Sequence, residues 1–212
     1  MSESKQRDRI AQLAKSLHDR QLTFGSSGNI SLKLDDGWLM TPTGSSMGEI
    51  DPARISKLDA AGEWVDGDKP TKESFLHMAM YHQRPNAGAI VHLHSTHSVA
   101  VSCLADVNPD NVLPPLTAYY VMRIGQLPLI PYFAPGDINL VEAVKEMASR
   151  HHAVLLANHG PVVAGASLED AVYATEELEE TAKLFLLLRN QKTKPLDKLQ
   201  VQELIKKFPT NC

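Results

Sequence analysis

The stretch Ala89-Ile90-Val91-His92-Leu93-His94 (89–94) carries a short apolar run straight into two histidines. The run predicts a buried strand. Residues two apart on a strand share a face, so His92 and His94 present their imidazoles side by side. Two such imidazoles can share a divalent metal, and imidazole suits zinc, copper, iron or nickel. An HxH pair is also found as two ordinary histidines on a half-buried strand. A second apolar run, 153–157, leads into Asn158-His159-Gly160 and supplies a third imidazole, His159. Three nitrogen ligands with a fourth position open is the arrangement of a catalytic rather than a structural zinc site.

The rest of the chain is ordinary in composition. With 212 residues, 43% hydrophobic and 22% charged, one domain spanning 1–212 with a single core is expected. A formal net charge of −4 gives no electrostatic case for nucleic acid or for an anionic membrane. Two cysteines, Cys103 and Cys212, make no disulfide framework. Cys103 sits in an apolar stretch and is expected as a packed thiol. Residues 1–20 are too polar for a signal peptide, and no apolar run approaches membrane-spanning length, so a cytoplasmic protein is expected.

Residues 7–19 place Ile10, Leu13, Ala14 and Leu17 at helical spacing. Two loops at strand ends then share a chemistry. Gly25-Ser26-Ser27-Gly28-Asn29 precedes one strand, and Thr41-Pro42-Thr43-Gly44-Ser45-Ser46 follows the strand 37–40. Glycines allow close backbone approach, and hydroxyls and amides are neutral donors, so the pair can cradle an anion or can simply be turns. Residues 55–65 read as strand, turn and strand.

Lys69-Pro70-Thr71-Lys72-Glu73-Ser74 opens a helix with Thr71 as its expected N-cap. Thr71, Lys72 and the helix N-terminal amides can close an anion site. Glu73 falls in the first turn, where it stabilises the helix dipole or serves chemistry. His77, His82 and His97 are expected as surface or satisfied histidines rather than ligands. Residues 119–122 and 127–130 are short apolar pieces, the second with a proline that implies a sheet edge. Helices are expected over 137–149 and from about 168 to 189, and a charged one over 196–207 that lies over the domain or reaches a neighbour.

Taken together, GSSGNIS (25–31), TPTG (41–44), PTKES (70–74), AIVHLHS (89–95) and ANHGPVVAG (157–165) resemble the class II aldolase/adducin family, in its order and over essentially the whole chain. The resemblance implies a three-layer α/β/α fold with a mostly antiparallel central sheet, and a homotetramer with sites at subunit boundaries. Carried over residue by residue, it makes His92, His94 and His159 the ligands of one Zn2+ per subunit, with manganese or cobalt as alternatives. Glu73 becomes the acid/base carboxylate beside the metal. Ser27, Gly28, Asn29, Thr43, Gly44 and Thr71 become phosphate-binding positions. Lys72 stands where the family's aldolases have a small hydroxyl residue, and is a candidate for holding a carboxylate or the phosphate. A tyrosine that acts as acid falls on Tyr119 or Tyr120.

PTKESFLH (70–77) and YYVMRIGQLPLIPY (119–132) resemble the family's decarboxylating branch. The implied activity is loss of carbon dioxide from a small phosphorylated 3-oxo sugar acid, through a metal-stabilised enediolate. A sugar-phosphate aldolase and a non-catalytic adducin-like module are the alternatives.

Overall fold

A computed structural model describes residues 2–134 and 137–209; Met1 and Cys212 lie outside them. The chain opens with α1 (Glu3–Asp19), whose Ile10, Leu13, Ala14 and Leu17 are all buried. A meander follows: β1 (Asn29–Leu34), β2 (Gly37–Met40), β3 (Ser56–Asp59) and β4 (Trp64–Asp66). Helix α2 (Ser74–Gln83) leads to β5 (Ala89–His92), then α3 (Thr96–Ser102), α4 (Ala118–Arg123) and β6 (Leu129–Ile130). Helix α5 (Asn139–Ala148), the hairpin β7 (Ala153–Leu156) and β8 (Gly160–Gly165), α6 (Leu168–Leu188) and α7 (Lys198–Lys207) complete it.

The strands form one eight-stranded sheet in the order β4-β3-β2-β1-β5-β8-β7-β6. Every neighbouring pair is antiparallel except β6 with β7, which run parallel at one edge. Pro128 just precedes that edge strand, where a missing N–H costs no ladder bond.

Alternation along β5 sorts the layers. Ala89, Val91 and Leu93 join Ile10, Leu17 and Val172 on one face, under α1 and α6. Ile90 joins Leu76, Met80, Leu140 and Val144 on the other, under α2 and α5. Helices on both faces of a sheet make three layers, α/β/α. His92 falls on the second face. So does His94, two residues past the end of β5, because the alternation continues through Leu93.

Several expectations are corrected. The segment 119–122 is helical, since the Thr117 side chain accepts the Tyr120 N–H as an N-cap. Helix α2 begins three residues after Thr71, which instead accepts the Glu73 N–H in a tight turn. Glu73 is therefore at the N-cap, and its carboxylate caps nothing. Cys103 is exposed rather than packed. It ends α3 beside the β7–β8 turn, where Asn158 Nδ2 lies 3.4 Å from its sulfur. Helix α7 lies over the domain, with Val201 and Leu204 against the cluster that includes Tyr120 and Val121. Among the described residues no helix is long and apolar enough to cross a membrane.

Candidate metal centre and anion cradle

Antiparallel pairing brings distant stretches to one edge of the sheet. In register, Asn29 of β1 stands beside His92 of β5, and His92 beside Val162 of β8. The turn before β8 carries His159, and the segment after β6 leads to Tyr132. The ends of five strands and the start of α2 therefore meet in one place.

There the three imidazoles converge. Nε2 of His92 lies 3.2 Å from Nε2 of His94 and 3.3 Å from that of His159, and the last two are 3.0 Å apart. Corners of a tetrahedron with metal–nitrogen bonds of about 2.0–2.1 Å would stand about 3.3 Å apart. His92 Nδ1 donates to the Pro161 carbonyl at 2.8 Å, which leaves Nε2 as the lone-pair nitrogen. A second ring nitrogen tied to a carbonyl is the usual support of a metal-binding histidine. Glu73 completes the group, with one oxygen 3.1 Å from His159 Nε2 and the other 3.5 Å from His92 Nε2. The four donor atoms lie within 4.8 Å of one another. The donor set fits a divalent metal.

The electrostatics agree. Burial pushes the Glu73 carboxyl up, but hydrogen bonds from His159 and His92, the His92 charge and the Asn29 amide outweigh it and hold Glu73 below the usual carboxylate range. Burial, then the charges of His92 and His159, lowers His94 to about 4. His94 is thus neutral and able to ligate at ordinary pH.

Two glycines let the backbones close in. A Cβ on Gly160 would lie 2.2 Å from the Leu93 carbonyl oxygen. On Gly28, at φ +79°, it would lie 3.1 Å from the His92 carbonyl oxygen.

A cavity of about 640 Å³ opens onto the cluster, lined by His94, His159 and Glu73. The same cavity is lined by Ser27, Gly28, Asn29, Thr43, Gly44, Thr71 and Lys72. The second loop is tied to the segment before α2 by Thr43 N–H to Lys69 O at 2.9 Å and Thr71 N–H to Thr41 O at 3.2 Å. Ser27 gives its hydroxyl proton to the Phe24 carbonyl at 2.6 Å, and Asn29 turns its amide N–H to Glu73 at 2.7 Å. Lys72, exposed at the rim, is the only lysine or arginine among the described residues that line the cavity.

Neither expected tyrosine is there. Tyr119 is 60% exposed and lines a separate depression with Arg20, Arg123 and Glu176. Tyr120 is fully buried, its hydroxyl has no hydrogen-bond partner among the described residues, and burial pushes its pKa up. The tyrosine that lines the cavity is Tyr132. Its signal in the sequence was its place just beyond a strand at the sheet edge. His77 is a satisfied histidine, as expected; it is buried and hydrogen-bonded to Asn29 and Ser31.

A sheet built this way, with this cluster at its edge, defines a class. The model of the class II aldolase and adducin N-terminal domain matches residues 8–186. The chain belongs to that family. It is 48% identical to 3-oxo-tetronate 4-phosphate decarboxylase of Escherichia coli K12 over 199 residues, covering 93% of this chain and 94% of that one. It is 37% identical to L-fuculose phosphate aldolase of Methanocaldococcus jannaschii, over 82% of this chain and 92% of that one. The crystal structure of YgbL from Escherichia coli superposes with a TM-score of 0.93 at 46% identity, over 95% and 98% of the two chains.

Proposed function

We propose that the protein is a carboxy-lyase that converts a 3-oxo-tetronate 4-phosphate to dihydroxyacetone phosphate and carbon dioxide. The observation that carries this reading is a single cavity lined by His94, His159 and Glu73, whose cluster the buried His92 completes, together with two hydroxyl- and glycine-rich loops. Its support in sequence is the 48% identity to a decarboxylase of that name along nearly the whole chain.

In the proposed reaction the bond between C1 and C2 breaks, and its electron pair stays on C2 and spreads to the C3 oxygen. C2 then takes up one proton. A divalent metal held by His92, His94 and His159 supplies Lewis-acid stabilisation of that negative charge. Zinc, one per chain, is the ion we assign, since three imidazoles suit it.

The chain's own groups do the rest. Glu73 is ionised and beside the histidines, so it accepts the proton of the 2-hydroxyl and returns it as the charge moves. Gly28, Thr43, Gly44 and Thr71 hold the 4-phosphate and fix the distance from there to the reacting carbons. Lys72 at the rim attracts the doubly anionic substrate and holds its carboxylate or phosphate. Tyr132, which borders the cavity, would pass a proton to C2 in this reading. Tyr119 takes that role only where a neighbouring subunit brings it in, as in the cytoplasmic homotetramer we propose for the working enzyme; sedimentation equilibrium tests that assembly.

The 37% identity to an L-fuculose phosphate aldolase favours a second reading, retro-aldol cleavage of a ketose phosphate. The products separate them. Carbon dioxide from the 3-oxo acid, with no aldehyde from L-fuculose 1-phosphate, is expected; aldehyde release alone would make the protein an aldolase.

A further inference from the structure

We infer that His77 is a positioning residue for this site, holding Asn29, and through it Glu73, in the one orientation that turns an amide N–H toward the carboxylate. The inference deepens the decarboxylase reading and rests on it.

The geometry begins with two matched repeats. Glu73, His77 and Tyr81 recur every four residues, so they form one stripe along α2. Asn29 and Ser31 are two apart on β1 and share a face. Four helical residues rise about 6 Å and two strand residues about 6.6 Å, so stripe and strand stay in step. The side chains interleave accordingly. Asn29 Nδ2 lies 2.7 Å from Glu73 Oε2, and Asn29 Oδ1 lies 2.5 Å from His77 Nε2. His77 Nδ1 lies 2.7 Å from Ser31 Oγ, which lies 3.0 Å from the Tyr81 hydroxyl.

The carboxylate end sets every proton in this row. Asn29 Nδ2, which can only donate, gives its N–H to Glu73 Oε2. Its Oδ1 then faces His77, so His77 Nε2 must carry the hydrogen. The ring is fully buried, and that burial, with the charge of His92, lowers it to about 3, so it is neutral. Nδ1 is therefore a lone pair, which takes the Ser31 hydroxyl proton. Ser31 in turn accepts from Tyr81. All four donors point one way.

A side-chain amide has nearly the same shape when turned over, so its shape alone does not orient it. The Asn29 backbone is fixed by pairing with β5, opposite His92. The Glu73 carboxylate disfavours the amide oxygen at one end, and the His77 N–H, accepted by Oδ1, holds the amide from the other. His77 is absent from the described cavity lining, so it acts through Asn29 and not on substrate.

The test uses full-length, zinc-loaded protein with metal content measured on each sample. His77→Leu removes the donor; His77→Gln places an amide nitrogen where Nε2 stands. We expect His77→Leu to lower kcat about 10- to 100-fold with KM and zinc content unchanged, and His77→Gln to restore most of the rate. In wild-type protein, imidazole 15N shifts should report His77 as the neutral form protonated on Nε2. A leucine variant with native kcat overturns the inference, as does a glutamine variant no faster than the leucine one. So does a ring protonated on Nδ1. If the leucine variant does not fold, the tautomer and the glutamine variant decide. If the wild type releases no carbon dioxide, the decarboxylase reading fails, while the tautomer still tests the His77 row.

Discussion

His94 Nε2 lies 3.0 Å from His159 Nε2, though 65 residues separate them in the chain. The contact exists because β5 and β8 are neighbours and antiparallel, which sets the end of one beside the start of the other. Three imidazole nitrogens converging this closely, with a carboxylate beside them, form a donor set that one positive ion between them would satisfy. We therefore expect purified wild-type protein to carry one divalent metal per chain by elemental analysis. His94→Ala or His159→Ala should lose it on dialysis and lose activity with it. A variant that keeps stoichiometric metal would contradict the ligand assignment.

Glu73 shares the cluster, yet its proposed work is to move a proton. Glu73→Gln should lower kcat about 100- to 10,000-fold while metal content stays at one per chain. Loss of metal with only a modest change in rate per bound metal would make Glu73 a ligand instead.

Lys72 stands at the rim, where a charge-assisted hydrogen bond to substrate is worth about 1.5–3 kcal/mol. Lys72→Ala should raise KM about ten- to hundredfold with little change in kcat. An unchanged KM sinks that role.

Gly160 lies where a Cβ would stand 2.2 Å from the Leu93 carbonyl oxygen and 3.4 Å from the His94 Cα. Both strands must give way if alanine is placed there. Gly160→Ala should cost about 1–3 kcal/mol in urea unfolding and weaken metal binding, since His159 and His94 flank the clash. A native midpoint with native metal affinity would mean that the turn adapts freely.

His77 and His94 bind protons less readily in the fold than the ordinary 6.5, chiefly through burial, at about 3 and about 4. Below pH 6.5 the unfolded chain takes up protons that the folded one refuses. Stability of the metal-free protein should therefore fall as pH drops from 6.5 toward 4, and for His77 on toward 3. Urea midpoints at pH 7 and pH 4.5 measure this, and His77→Gln should flatten part of the slope. Equal midpoints would contradict a buried, neutral His77.

How far these features could be read in advance depended on the range of the interaction. His92 and His94 were readable because strand alternation is local and Leu93 belongs to the opposite face. His159 and the two loops announced themselves through turn chemistry. The three-layer fold was implied by the family resemblance, because sheet order and layering are set by contacts between distant strands. His77 was passed over because its partners, Asn29 and Ser31, lie on a strand more than forty residues away. Counting along the chain led to Tyr119, but which face a short helix shows is set by packing, and the structure turns Tyr119 away from the cavity that Tyr132 borders. Cys103 misled because its apolar neighbours are buried by a helix whose last turn leaves the thiol outside.

One assay bears on the metal site, the base and the substrate together. Zinc-loaded protein is given 3-oxo-tetronate 4-phosphate while carbon dioxide and dihydroxyacetone phosphate are followed together. Equal amounts of both are expected, abolished by chelation, restored by adding zinc, and nearly absent in Glu73→Gln. No carbon dioxide from the zinc-loaded wild type, or release undiminished by chelation and by Glu73→Gln, would contradict the proposed function.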